Sequence, residues 1–399
     1  MTIYKTLALC LSAIAFTAQA QSFEDAVRAA RKADAQYTAA QAEILGKRVL
    51  ANQAGAAYYP SANVAFNQSS ASGGGSRSLS LTQPLLSYDL YLTLKQSDPL
   101  SGQADAQARQ ANTDMVLRVY TSMADIVRQR ESIRAINVQI NNLQEQLRRS
   151  VRMRELGQGT VTEVSDFEVR LAVAQANSVS LKNNLLAAQR GFSLLTGLRA
   201  NVPTLTLTST WQDKRSLDDI TTYVRQNAPA VVNAQRNLEL AEIAARRVTA
   251  QYMPQVVAQA TRTYASGSET QSNSGVAIVL SAPLGANQYY DRQRAATEIT
   301  RAEENLRYAQ DSSSDEVTRL YEAVLSYQAE VTIRERALES ARLAVDGNEK
   351  SYQGGVKTNI DVLTSYQNLA DAEVALVNSR LAQGDAQLRL QLLLDASPI

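Results

Sequence analysis

Arg154-Glu-Leu-Gly-Gln-Gly-Thr-Val-Thr-Glu-Val164 and, further along the chain, Tyr352-Gln-Gly-Gly-Val-Lys-Thr-Asn-Ile-Asp-Val-Leu363 are two versions of one turn. Each lies between stretches in which apolar residues step by three and four, so each reads as a reversal between antiparallel helices. Gly157, Gly159, Gly354 and Gly355 fit that reading, because a tight reversal needs residues that tolerate positive φ. Thr160 stands three residues before Glu163 and Thr358 three before Asp361, the spacing of a cap whose acid returns to the first turn of the next helix.

Working outward from the turns, further landmarks recur in the same order. Ser22-Phe-Glu-Asp-Ala26 returns as Ser216-Leu-Asp-Asp-Ile220, Tyr58-Tyr59-Pro60 as Tyr252-Met253-Pro254, and Gln83-Pro84-Leu85 as Ala282-Pro283-Leu284, at offsets of 194 to 199 residues. Phe192 to Leu195 returns near Leu390 to Leu393. The chain is therefore two copies of one plan, residues 21–200 and 214–396. Between them, 201–213 reads as a connector that holds Pro203 and the only tryptophan, Trp211.

Within each copy the expected order is helix, strand, strand, long helix, shorter helix. Val116, Val119, Met123 and Ile126, then Ile133, Ile136, Ile140, Leu143 and Leu147, trace one long seam, and Val317, Leu320, Val324 and Tyr327 begin its counterpart. Spans of roughly 50 to 65 residues imply rods about 75 to 100 Å long. Ser97-Asp-Pro-Leu-Ser-Gly102 predicts a local break at the start of the first rod only. Alternating segments at about 61–84 and 255–283 read as hairpins with Gly/Ser-rich loops and prolines at their junctions. Tyr58, Tyr59, Tyr88, Tyr91, Tyr289 and Tyr290 flank them, and suit a membrane interface and junction packing equally well. Four strands cannot close a membrane barrel, so several chains would have to share one.

Composition narrows the function. The 399 residues include no His and one Cys, which excludes His/Cys metal clusters, Ser/His/Asp triads and Cys/His dyads. Forty basic residues face 39 acidic ones, so nothing attracts nucleic acid. Gly73-Gly-Gly75 lacks the Lys of a phosphate loop. Residues 1–20 read as a signal peptide, with Lys5, an apolar run from Leu7 to Phe16 and a small-x-small site at Ala18-Gln19-Ala20. Cys10 falls inside it, leaving a mature chain without cysteine. Beyond residue 20 no apolar run reaches the roughly 20 residues of a spanning helix.

An exported, cysteine-free chain with this duplicated plan resembles the TolC-like outer-membrane efflux and secretion channels over about Phe23 to Leu394. The two turns and Leu194-Leu-Thr-Gly197 carry the likeness. The resemblance implies a mainly α fold with a small β part. Three chains would form a twelve-strand outer-membrane β-barrel on a twelve-helix periplasmic α-barrel. It implies a passive conduit without catalysis or cofactor, placed in the outer membrane of a Gram-negative bacterium and extending into the periplasm. Its partners would be a periplasmic membrane-fusion adaptor, an inner-membrane transporter of ABC, RND or MFS type, and outer-membrane lipid. By the same resemblance Asp361, Glu163, Tyr352 and Lys357 form the periplasmic constriction, and Gly157, Gly159, Gly354, Gly355 and Val356 face the adaptor. Thr364 stands where the family prototype carries a second ring carboxylate. The alternative, from a different class, is a periplasmic coiled-coil adaptor or scaffold.

Overall fold

The computed structural model describes residues 22–68, 75–200, 215–266, 272–282 and 287–394. The readings of 1–20 as a signal peptide and of 201–213 as a connector lie outside the described residues. The first repeat comprises α1 (Phe23–Ala33), α2 (Ala35–Ala56), β1 (Ser61–Gln68), β2 (Gly75–Leu86), α3 (Tyr88–Lys95), α4 (Ser97–Glu155) and α5 (Val161–Thr196). The second comprises α6 (Leu217–Asn227), α7 (Pro229–Ala250), β3 (Gln255–Ser266), β4 (Ser272–Ser281), α8 (Gln288–Gln353) and α9 (Asn359–Leu394).

Each repeat opens with two helices where the periodicity suggested one. Asp34 leaves the helical region at ψ 111 and its carboxylate accepts from the Gln36 N–H at 2.9 Å, ending α1 and capping α2. Ala228 also leaves the helical region, at ψ 139 and without a side-chain cap, because Pro229 disfavours the helical conformation in the residue before it and is itself suited to a first helical position. Ser22 and Ser216 cap the first helix of each repeat by accepting from Asp25 and Asp219 N–H groups.

The long helices run 59 residues in α4 and 66 in α8, about 90 and 100 Å of rod. A break falls at Gln96, between α3 and α4, whereas α8 is continuous. Pro99 has no N–H to offer the Lys95 carbonyl, and Gln96 instead donates to Thr93 O at 3.1 Å in a tighter turn. Pro99 then sits inside the first turn of α4, where a missing donor costs nothing.

Packing arranges the helices as a single layer of rods. Towards the sheet α4 lies between α2 and α7, and α7 packs on α8. Away from the sheet α4 lies between α5 and α9, and α9 packs on α8. Four rods result, in the order α2/α5, α4, α7/α9, α8. The core is concentrated at mid-length, where the short α1 and α6 dock. Phe23, Val27, Val116, Val119, Met123 and Phe192 form one cluster with Leu388 of α9. Ile220, Val224, Val231 and Val317 form the other with Leu390.

The four strands make one antiparallel meander, β1-β2-β3-β4. The seam between repeats is β2 against β3, with Leu81 opposite Ala260. Ser61 pairs Thr82 in the first hairpin and Gln255 pairs Ser281 in the second, so both keep one internal register across offsets of 194 and 199. The five-residue difference accrues at the tip of the second hairpin. β2 runs past Pro84 to Leu86 through a bulge, which removes the need for a proline donor.

Alternation gives the sheet one mainly apolar face and one polar face. Val64, Phe66, Leu79, Leu81, Val276, Ile278 and Leu280 share one face and are exposed, Val276 by 83%. Asn63, Asn67, Ser78, Ser80, Gln259, Thr261 and Thr263 share the other. No helix packs across either face, and the outer edges of β1 and β4 have no partner strand among the described residues. No described helix is long and apolar enough to cross a membrane.

Candidate functional site at the helical tips

Both turns end the layer far from the sheet, and both are built the same way. Gly157 and Gly355 take φ +72 just past α4 and α8. Gln158 N–H then reaches Met153 O at 2.8 Å and Val356 N–H reaches Ser351 O at 2.9 Å, the six-to-one bond of a Schellman ending. Gly354 keeps φ −81 and so is not needed for left-handed backbone. Gly159 is needed for space instead, since a Cβ there would come within 3.0 Å of Arg154 N. Thr160 and Thr358 cap the returning helices by accepting from Glu163 N–H at 3.2 Å and Asp361 N–H at 3.3 Å.

The two acids then differ. Asp361 closes a full capping box: its carboxylate accepts from Thr358 N–H at 2.9 Å and from the Thr358 hydroxyl at 2.8 Å. The backbone bond first, then the hydroxyl, hold its pKa below the ordinary 3.8, and the Lys357 charge adds a smaller push in the same direction. Glu163 is exposed and makes no side-chain bond back to its cap among the described residues.

Tyr352, near the end of α8, lies under the Arg149 guanidinium of α4, with Cζ 5.7 Å from the ring centroid. Two turns into α9, Tyr366 donates to Glu349 Oε1 and lashes α9 to α8. That bond, more than burial, pushes the Tyr366 hydroxyl up to about 12. The structure thus brings Lys357, Thr358 and Asp361 together and ties Tyr352 to Arg149. No hydrogen bond or ion pair joins Glu163 to any of the other three expected residues within the chain. Glu163 rides on α5, one edge of the layer, and Tyr352 on α8, the other.

Arg149 and the Tyr366–Glu349 pair escaped the sequence reading. A Tyr and a Glu seventeen residues apart across a reversal are a findable signal. Arg149 is not, since α4 and α8 are separated by α9 in the layer and by about 200 residues in sequence. Around the turns Leu156, Val161, Val356 and Ile360 are exposed by 64–81%.

Rods with a mid-length core, a free-edged sheet apolar on one side and capped turns at the far end define a wall segment of a channel. The chain is 25% identical over 330 residues to the protease secretion protein PrtF of Dickeya chrysanthemi, covering 78% of this chain and 71% of that one. It is 26% identical over 337 residues to the alkaline protease secretion protein AprF of Pseudomonas aeruginosa, covering 78% and 68%. Its fold matches the crystal structure of the outer membrane protein VceC of Vibrio cholerae with a TM-score of 0.76 at 17% identity, over 93% of this chain and 95% of that one. No family model matches the sequence. In sequence and in fold the chain is similar to the TolC-like outer-membrane channels, which places it in the outer membrane of a Gram-negative bacterium, extending into the periplasm. These relatives are channels, and give no support to the adaptor or scaffold alternative.

Proposed function

We propose that three copies close into one tube and act as the passive outer-membrane conduit of an export system. The observation that carries this is the sheet. It exposes an apolar face to one side, presents small polar residues to the other and leaves both edges open, which only a closed barrel can satisfy in lipid. Three sheets of four strands give twelve, and three layers of four rods give twelve. The proposal keeps 1–20 as the export signal, 21–200 and 214–396 as the two repeats and 201–213 as the connector.

Closure of the ring supports a role for the tip residues. It sets the α8 edge of one copy, with Tyr352 and Lys357, beside the α5 edge of the next, with Glu163. Links between these edges hold the entrance shut, and a ring of three Asp361 carboxylates lines it and binds cations. A periplasmic adaptor meeting Gly157, Gly159, Gly354, Gly355 and Val356, with the exposed Leu156 and Ile360 beside them, offsets the links. An inner-membrane transporter supplies the energy. The names of PrtF and AprF favour secreted protein as cargo over small molecules. Extraction in detergent and heating in SDS tests the assembly: a membrane-fraction trimer that dissociates on heating and conducts in planar bilayers is expected, and a soluble monomer would end the proposal.

The missing second carboxylate gives a separate prediction. Thr364 is exposed and donates its hydroxyl to Ile360 O at 2.8 Å, so it adds no charge to the ring. Thr364→Asp doubles the ring from three to six carboxylates and is expected to lower the concentration of a trivalent cation needed for half-block by about tenfold, equivalent to roughly 1.4 kcal/mol. Because the Asp361 pKa is lowered, wild-type block is expected to persist as pH falls and to fade only below the ordinary carboxylate value of 3.8. Block that fades near pH 5, or no gain in Thr364→Asp, would count against a carboxylate ring.

A further inference from the structure

Two arginines break the apolar face of the sheet. Arg77 lies opposite Tyr264 and Arg262 opposite Leu79, so the two are diagonal neighbours across the β2–β3 seam, about 7 to 8 Å apart along the backbone. Arg77 Cζ sits 5.9 Å from the Phe66 centroid and Arg262 Cζ 4.9 Å from that of Tyr264, which holds both side chains against the sheet. Neither has a carboxylate partner among the described residues. A guanidinium facing lipid is costly at the bilayer midplane and tolerable at the headgroups. Both lie on the side of the band away from the helices, Arg262 one row and Arg77 two rows beyond the middle row of Leu81, Ala260 and Val276, and their long stems let the guanidinium groups reach toward the headgroups. A shallow groove lined by Leu79, Leu81, Ala260, Ser274 and Val276 leads along the same face to Arg262.

We infer that Arg77 and Arg262 form a binding site for a phosphate-bearing lipid of the outer leaflet, whose headgroup phosphate takes the two guanidinium forks while an acyl chain lies in the groove. The inference rests on the reading of the sheet as a membrane wall. A free anion would use the arginines and leave the groove idle, so the groove favours lipid. Arginine suits the task because its planar fork meets phosphate oxygens bidentately and it stays charged.

The test uses the full-length channel in nanodiscs of phosphatidylcholine doped with diphosphoryl lipid A, followed by native mass spectrometry of the trimer. Wild type is expected to retain at least about fivefold more lipid A than Arg77→Gln/Arg262→Gln, a difference of about 1 kcal/mol per site at the measured ratio. Ala260→Phe, which fills the groove and keeps both arginines, is expected to lose a similar share. Ten-millimolar inorganic phosphate, about 0.01 M, should displace little of it. Equal retention in the double variant overturns the site, and full displacement by phosphate overturns the lipid in favour of a free anion. Heat-dissociable trimers of each variant on SDS gels show that they fold. If wild type itself neither inserts nor conducts, the membrane-wall reading fails and the site with it. If all variants conduct alike and retain lipid alike, only the lipid site fails.

Discussion

Planar bilayers holding the Asp361→Ala/Lys357→Ala double variant are expected to show a closed-state conductance at least about fivefold above wild type, a loss of roughly 1 kcal/mol of closing free energy. Two effects combine. Removing Asp361 deletes the acceptor of both Thr358 bonds and frays the first turn of α9. Removing Lys357 takes away the cation that would meet Glu163 of the adjacent copy. Asp361→Asn separates the roles. It keeps a cap acceptor and loses the charge, so it is expected to abolish cation block while leaving closed conductance near wild type. If conductance in the double variant stays at the wild-type level, these residues are not the gate.

A single charge at the centre of the apolar band is expected to damage insertion more than the gate variant damages closure. Val276 is 83% exposed, and its row, with Leu81 and Ala260, lies midway along the band. Val276→Arg therefore places a guanidinium at the midplane, where the cost is about 2 to 4 kcal/mol per copy and about three times that for a three-copy tube. Heat-dissociable trimers should disappear from the membrane fraction. The control is one residue away. Ala277→Arg faces the polar side, because successive residues of a strand point to opposite faces, and it should assemble with altered ion selectivity. Equal assembly of the two variants would contradict the assignment of faces.

The duplicated plan was readable because both turns, both caps and both proline-flanked hairpins lie on consecutive residues, where spacing alone carries the signal. The split of the opening helices was half readable. Pro229 announces a helical start after Ala228, whereas Asp34 looks like one more solvated acid until Arg118 reaches it from α4. The pairing of β2 with β3 could not be read, since strand order depends on how the repeats dock. At the tip, Thr358-x-x-Asp361 predicted its cap from spacing. Arg149 over Tyr352 joins α4 to α8, which are not adjacent in the layer, so no local spacing foretells it. Arg77 and Arg262 were visible in the alternation of their strands, but the face they share appears only once the register is known.

The joint at Gln96 has no counterpart in α8. In the proposed three-copy tube, staves interrupted at this one residue would alternate with staves that run unbroken toward the sheet, so the six long staves are of two kinds and the wall repeats threefold, not sixfold.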